Sequence, residues 1–292
     1  MANDIYSIAT ILIGIIGLVI SIIEYRKKTS AKIADIEAAD PVLTLIGMLN
    51  DDADERREYA ANQLYKYARM SEEKAEEICE IFCTHIRKNS NIYFNANGDI
   101  IRSREFTKIV KWLFEKDGIF QNINKNLSGT VFLGIKFGKN SICNVNFTDC
   151  KFIDCHFQNT ALKTCKMSKV KIAKCTFKNN VDFNGCLLNE ATISETLFRN
   201  INFKNCSLKG SHITDNTTFS RSNLRDTIFE NSHISDTKFI ICDLGRCDFA
   251  YSALKNVYME FSTSAACDEQ VQYFRSIDLN PELNPMSNSI MM

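Results

Sequence analysis

One apolar residue returns at every fifth position through nearly half of the chain. The series runs Leu127, Phe132, Phe137, Ile142, Phe147, Phe152 and on to Phe177. It resumes one residue late at Phe183 and continues to Ile213. It then shifts by one more residue and runs from Phe219 to Met259, which makes 27 units. Five is neither the strand period of two nor the helix period of 3.6. Two places before each centre stands a mostly small residue, as at Cys150, Cys155, Thr160, Cys165, Ser211, Thr217 and Ser232. The other three positions are largely Lys, Asn, Asp, Ser and Thr. Each unit therefore points two residues inward and three outward.

Units this short cannot bury a core alone and must stack. The number per coil follows from which residues would lie on which. Every fourth centre yields Phe137, Phe157, Phe177, Phe198, Phe219, Phe239 and Met259, and another set contains Ile172, Ile193, Ile213 and Ile234. The small sites sort in the same way, into Cys165, Cys186 and Cys206, and into Ser211, Ser232 and Ser252. Four units per coil keeps these ladders continuous. The two extra residues, near Asn179–Asn180 and Asp215–Asn216, must then bulge outward at corners.

The run Cys150-Lys151-Phe152-Ile153-Asp154 and its neighbours resemble the pentapeptide-repeat proteins, whose motif is a small residue, a polar one, Leu or Phe, then two more polar ones. The resemblance covers residues 127–261 and implies a right-handed quadrilateral β-helix. Phe and Cys stand here where Leu and Ala are common in that family. At about 4.8 Å per coil the rod would be roughly 32 Å long.

Residues 5–23 read IYSIATILIGIIGLVISII, without a charge. At 1.5 Å per residue this stretch spans about 28 Å, close to the hydrocarbon thickness of a bilayer. Arg26, Lys27, Lys28 and Lys32 follow it and none precedes it. The reading is a transmembrane helix with residues 1–4 outside and the rest of the chain cytoplasmic, a single-pass protein of a bacterial inner membrane. Ser7, Thr10, Gly14, Gly17 and Ser21 form a small-residue stripe along it. Such a stripe suits a homo-oligomer through helix packing, and equally suits the ordinary composition of membrane helices. The twelve cysteines fit this topology, because eight occupy the small inward site, where a free thiol in a reducing compartment is a compact filler.

Residues 24–126 read as a small α-helical unit. Pro41 opens a helix, Ser71 caps another before a run of acids, and Phe106 to Phe114 make an amphipathic helix that covers the first coil. Residues 262–292 are expected to supply a C-terminal capping helix and a flexible tail. The expected fold class is therefore mainly β, a quadrilateral β-helix preceded by one transmembrane helix and a small α-helical unit.

Neither a Gly-rich phosphate loop nor a metalloprotease or hydrolase motif is present, and no acid, base and nucleophile converge. Cys79, Cys83 and His85 lack a second ligand pair and read as core. Cys165, Cys186 and Cys206 would lie in line without a fourth ligand. His212 and His233 stack on the outer surface, as surface residues or as two donors for a transition metal. No enzyme and no cofactor is expected.

Net charge is zero over the chain, but residues 127–261 hold 17 Lys and Arg against 12 Asp and Glu. Lys163, Lys166, Lys169, Lys171, Lys174 and Lys178 form a candidate basic belt within about one coil. Leu197, Ile240, Ile241 and Tyr258 occupy outward positions on one side and form a candidate docking patch, or the seat of the C-terminal segment. The function expected is a membrane-anchored, non-enzymatic interaction scaffold for an unknown protein partner. The family resemblance implies an alternative, a DNA mimic that binds topoisomerases. The net positive rod argues against that role, and the zero net charge of the whole chain argues against a polyanion such as nucleic acid as a ligand.

Overall fold

The computed structural model describes residues 41–90, 93–94, 100–101 and 103–260. The chain divides into two compact units, Met1–Leu64 and Tyr65–Met292.

In the first unit, helix α1 (Pro41–Leu49) opens at its proline and buries Val42, Leu45 and Leu49 along one face. Helix α2 (Asp54–Ala68) begins after a loop fixed by Asp51, whose carboxylate accepts from the Ala53 amide at 2.9 Å. Ala60, Ala61 and Leu64 are its buried residues before the boundary.

The second unit starts within α2 and continues into helix α3 (Glu72–Asn89). Ser71 caps α3, its hydroxyl accepting from the Lys74 amide at 3.2 Å. Strands Tyr93–Phe94 and Ile100–Ile101 pair antiparallel. Helix α4 (Arg104–Phe114) buries Phe106, Ile109, Val110, Leu113 and Phe114. Its last residue is the lid of the solenoid. The Phe114 ring lies 5.9 Å from Phe137 in the first coil and 6.1 Å from Phe147 at the start of the second.

From Lys125 the chain winds as a β-solenoid with four sides. Two sides are seven-stranded parallel sheets, one running from Val131–Leu133 to Ala253–Lys255 and the other from Lys136–Gly138 to Tyr258–Glu260. The remaining sides are mostly columns of isolated parallel bridges, such as Lys166, Leu187, Ser207 and Ile228. Register confirms four units per coil, with Phe132 on Phe152 on Ile172 and Phe157 on Phe177 on Phe198. The extra residues do bulge. Between Thr176–Asp182 and its neighbour the register shifts from Lys178 to Val181, and Asn179 and Asn180 both take positive φ.

The core is a set of aromatic columns. Phe137, Phe157, Phe177, Phe198, Phe219 and Phe239 stack at 4.4, 4.5, 4.9, 4.8 and 5.1 Å. Each such ring pair adds about 0.5–1.5 kcal/mol beyond the area it buries. The small sites are not passive filler, as sequence alone suggested. Cys150, Cys165 and Cys206 donate their thiols to the carbonyls of Leu127, Ile142 and Phe183 in the coil before, at 2.8, 3.0 and 3.0 Å. Ser211, Thr227 and Ser232 do the same to Leu188, Phe203 and Leu208. A hydroxyl or thiol at this site thus adds a bond between coils that alanine could not.

The expected transmembrane helix is a correction. Among the described residues no helix is long and apolar enough to cross a membrane. The longest, α3, carries Glu72, Glu73, Lys74, Glu76, Glu77 and Glu80, and such charges are costly in hydrocarbon. Residues 5–23 and their stripe Ser7, Thr10, Gly14, Gly17 and Ser21 lie outside the described residues, as do 24–40 and the segment after 260. The fold class of the described residues is therefore a mainly β solenoid with four helices, none of them long and apolar enough to cross a membrane. The membrane partner, the single-pass topology and the inner-membrane location, all drawn from that helix, are withdrawn with it.

Candidate interaction surface

The surface is organised by the corners. Two residues after each centre the backbone turns through left-handed φ, as at Asp149 (59°), Asn200 (53°) and Asp236 (48°). Asn, Asp and Gly tolerate this region, and many corners use them. A β-branched residue there is strained. Ile241 stands at φ 56° with its side chain 46% exposed. It is disfavoured twice, by backbone and by solvent.

Ile241 follows strand Lys238–Ile240, and Ile240 pairs in register with Glu260 while Lys238 pairs with Tyr258. Ile240, Ile241 and Tyr258 therefore lie on neighbouring coils of one flank. Ile240 and Tyr258 are half-buried, and the Tyr258 hydroxyl donates to Glu260 at 3.2 Å. Leu197, also half-buried, pairs with Thr218, which pairs with Lys238, so it sits two coils away from Ile240. Other exposed apolar residues were not singled out from sequence. Tyr251 is 83% exposed on a different corner, and Leu187 and Ile228 share a bridge column with Ser207 between them. The positive φ of Tyr251 (58°) repeats the anomaly of Ile241. The sequence signal was there, a large apolar side chain in a slot that otherwise holds Asn, Asp, Gly or another polar residue.

The six lysines of the belt do not share a face. Lys171 lies on one sheet and Lys178 on the other, while Lys166 belongs to a bridge column. Three of them meet acids one coil on, Lys163 with Asp182 at 3.0 Å, Lys169 with Glu190 at 3.9 Å and Lys174 with Glu195 at 3.9 Å. The same pattern joins Lys209 to Glu230, Arg225 to Asp243 and Arg246 to Asp226. Acids absent from the belt's own coil thus arrive from the next.

His212 and His233 are partners in register, with ring centroids 5.9 Å apart. Among the described residues no three His, Cys, Asp or Glu gather as a metal ligand set. The thiols of Cys165, Cys186 and Cys206 are buried and directed at carbonyls, and burial pushes Cys206 up to about 12. His85, expected in the core with Cys79 and Cys83, is 4% exposed. Its Nδ1 lies 3.0 Å from the Asn89 amide nitrogen and its Nε2 3.6 Å from the Glu105 carboxylate of α4. Asn89 thus lies on the Nδ1 side of the ring and Glu105 on the Nε2 side. This pair links two helices below the first coil, and nothing in the local sequence spacing connects residues 85 and 105.

Among solved structures, a trypsin-treated QnrB1 variant, described as a plasmid-mediated fluoroquinolone resistance protein, aligns with 18% identity, 52% of this chain, 87% of its own and a TM-score of 0.25. HetL from the cyanobacterium Nostoc sp. strain PCC 7120, described as a pentapeptide repeat protein involved in heterocyst differentiation regulation, aligns with 11% identity, 46% and 86% coverage and a TM-score of 0.17. A pentapeptide repeat protein from the thylakoid lumen of Arabidopsis thaliana gives 13%, 50%, 74% and 0.16. No curated protein matches the chain significantly. Residues 135–213, within the stacked part of the chain, match the family model described as pentapeptide repeat region, and the chain carries a pentapeptide-repeat region there.

Proposed function

We propose that this protein is a non-enzymatic interaction module whose solenoid presents a rigid flank to a protein partner. The observation that carries the reading is Ile241, an exposed β-branched side chain held at positive φ between Ile240 and the final described coil. Strain of this kind persists only where the surroundings impose it, and it concentrates at functional positions. The stacked columns beneath hold the flank in one conformation, which lowers the ordering cost of binding. The alternative, a DNA mimic, requires a run of free carboxylates. Asp182, Glu190, Glu195, Asp226, Glu230 and Asp243 instead face cations of neighbouring coils, which favours the first reading.

The test compares the full chain with a variant carrying Ile240→Ser and Ile241→Asp. Proteins captured from the native cell by the parent chain and lost by the variant, at an unchanged melting temperature, support a docking flank. A lowered melting temperature with capture retained makes the patch a seat for the C-terminal segment and rejects the proposal.

A further inference from the structure

Lys163, Lys169, Lys174 and Lys209 meet acids from coil to coil, but four lysines around the first coil do not. Lys111 and Lys116 come from the end of α4 and the turn after it, and Lys136 and Lys139 from the second strand of the first coil and its corner. None of the four has an ion-pair partner among the described residues. All four line one cavity of about 530 Å³. Its apolar lining is Val110, Ile135 and Phe137, each less than a tenth exposed. Glu115 is the one carboxylate in the lining.

The walls are fixed. Asn140 donates its side-chain amide to the Phe114 carbonyl at 2.9 Å, tying the end of α4 to the first coil. Gly138 opens the cavity further, since a Cβ built there meets nothing within 4 Å, and its φ is not left-handed. Four like charges around one opening repel one another in the empty state. A volume of this size, an apolar floor and a few convergent charges are the attributes of a small-molecule site. We propose that this cavity binds a small organic anion, a carboxylate or phosphate carried on an apolar body. The lysines would hold the anionic end, and Val110, Ile135 and Phe137 would take the apolar end. The site is separate from the Ile241 flank, and neither proposal depends on the other.

The test uses the fluorescent anion 8-anilinonaphthalene-1-sulfonate with the full chain. Gly138→Leu serves as the blocking variant, because it fills open space at an unstrained position. The difference between the two chains isolates this cavity from any other apolar stretch. The expected result is one saturable site in the parent chain that Gly138→Leu removes with no fall in melting temperature. Lys111→Ala with Lys136→Ala should weaken it at least tenfold. Decanoate should displace the probe from that site at least tenfold better than decanol or inorganic phosphate. Binding equal in the parent and Gly138→Leu chains overturns the proposal. So does displacement by decanol as effective as by decanoate, which would make the charge irrelevant. Displacement by phosphate as effective as by decanoate reduces the site to a charged patch and also overturns it.

Discussion

Two residue types carry more of this structure than their size suggests. The first is the corner residue at left-handed φ. For an L-residue this conformation costs roughly 1–2 kcal/mol, and Asn bears it best after Gly. Ile241→Asn should therefore stabilise the fold by about 1 kcal/mol while weakening partner capture, a trade that thermal melting and capture assays read separately. A fall in melting temperature would show that the Ile241 side chain packs against something within the chain. The second type is the inward cysteine. Burial pushes the thiols of Cys150, Cys206 and Cys247 up to about 12 and Cys242 up to about 11. The thiolate is the reactive form, so these residues should resist a maleimide in the folded protein. Among the described cysteines Cys143, which is half-buried, should label first. Peptide mapping after brief labelling checks this, and early modification of Cys206 would mean that the coils open readily.

At the scale of the element, the Phe column and the corner bulge make opposite demands. Phe177 is 1% exposed and lies between Phe157 at 4.5 Å and Phe198 at 4.9 Å. Phe177→Ala removes a ring from both contacts and should cost about 3–5 kcal/mol. Deleting Asn180 shortens a corner that already carries one residue more than its neighbours, so the inward residues keep their places. Denaturant unfolding of the two variants should show the deletion as the milder. The reverse order would place residue 180 in the column and displace every centre after it. The helices follow ordinary rules beside this, with Ser71 capping α3 and lysine and arginine near its end at Arg87 and Lys88.

On the scale of the whole molecule, a solenoid is held by nearest-neighbour contacts and fails from its ends. Within the second unit, Phe114 closes the first coil, and Tyr65, Phe82 and Phe120 gather around Trp112 and one another behind it. Phe114→Ala should cost about 3–5 kcal/mol locally, and hydrogen exchange should rise in strands Val131–Leu133 and Lys136–Gly138 before it rises beyond residue 200. Uniform loss of protection along the solenoid would show a single cooperative unit instead. The sequence by itself determined the solenoid, because a five-residue period leaves one apolar and one small residue per side and only stacking buries them. Coil size, ladder register and the two bulges at Asn179–Asn180 and Asp215–Asn216 follow from that local repetition, and the cap over the first coil from the apolar face of Phe106 to Phe114. An apolar run is legible too, yet the inference from residues 5–23 to a membrane protein did not carry into the described fold. Hydropathy reports what a segment would bury, and leaves open where that happens. What only the tertiary structure decided are relations between residues far apart in sequence. It paired belt lysines with acids about twenty residues later, set His85 against Glu105, turned inward cysteines into donors, and gathered Lys111, Lys116, Lys136 and Lys139 around one cavity. Charges and hydrogen bonds depend on distance through space, and a repeat fixes that distance within the coil but not between the solenoid and the helices that close it.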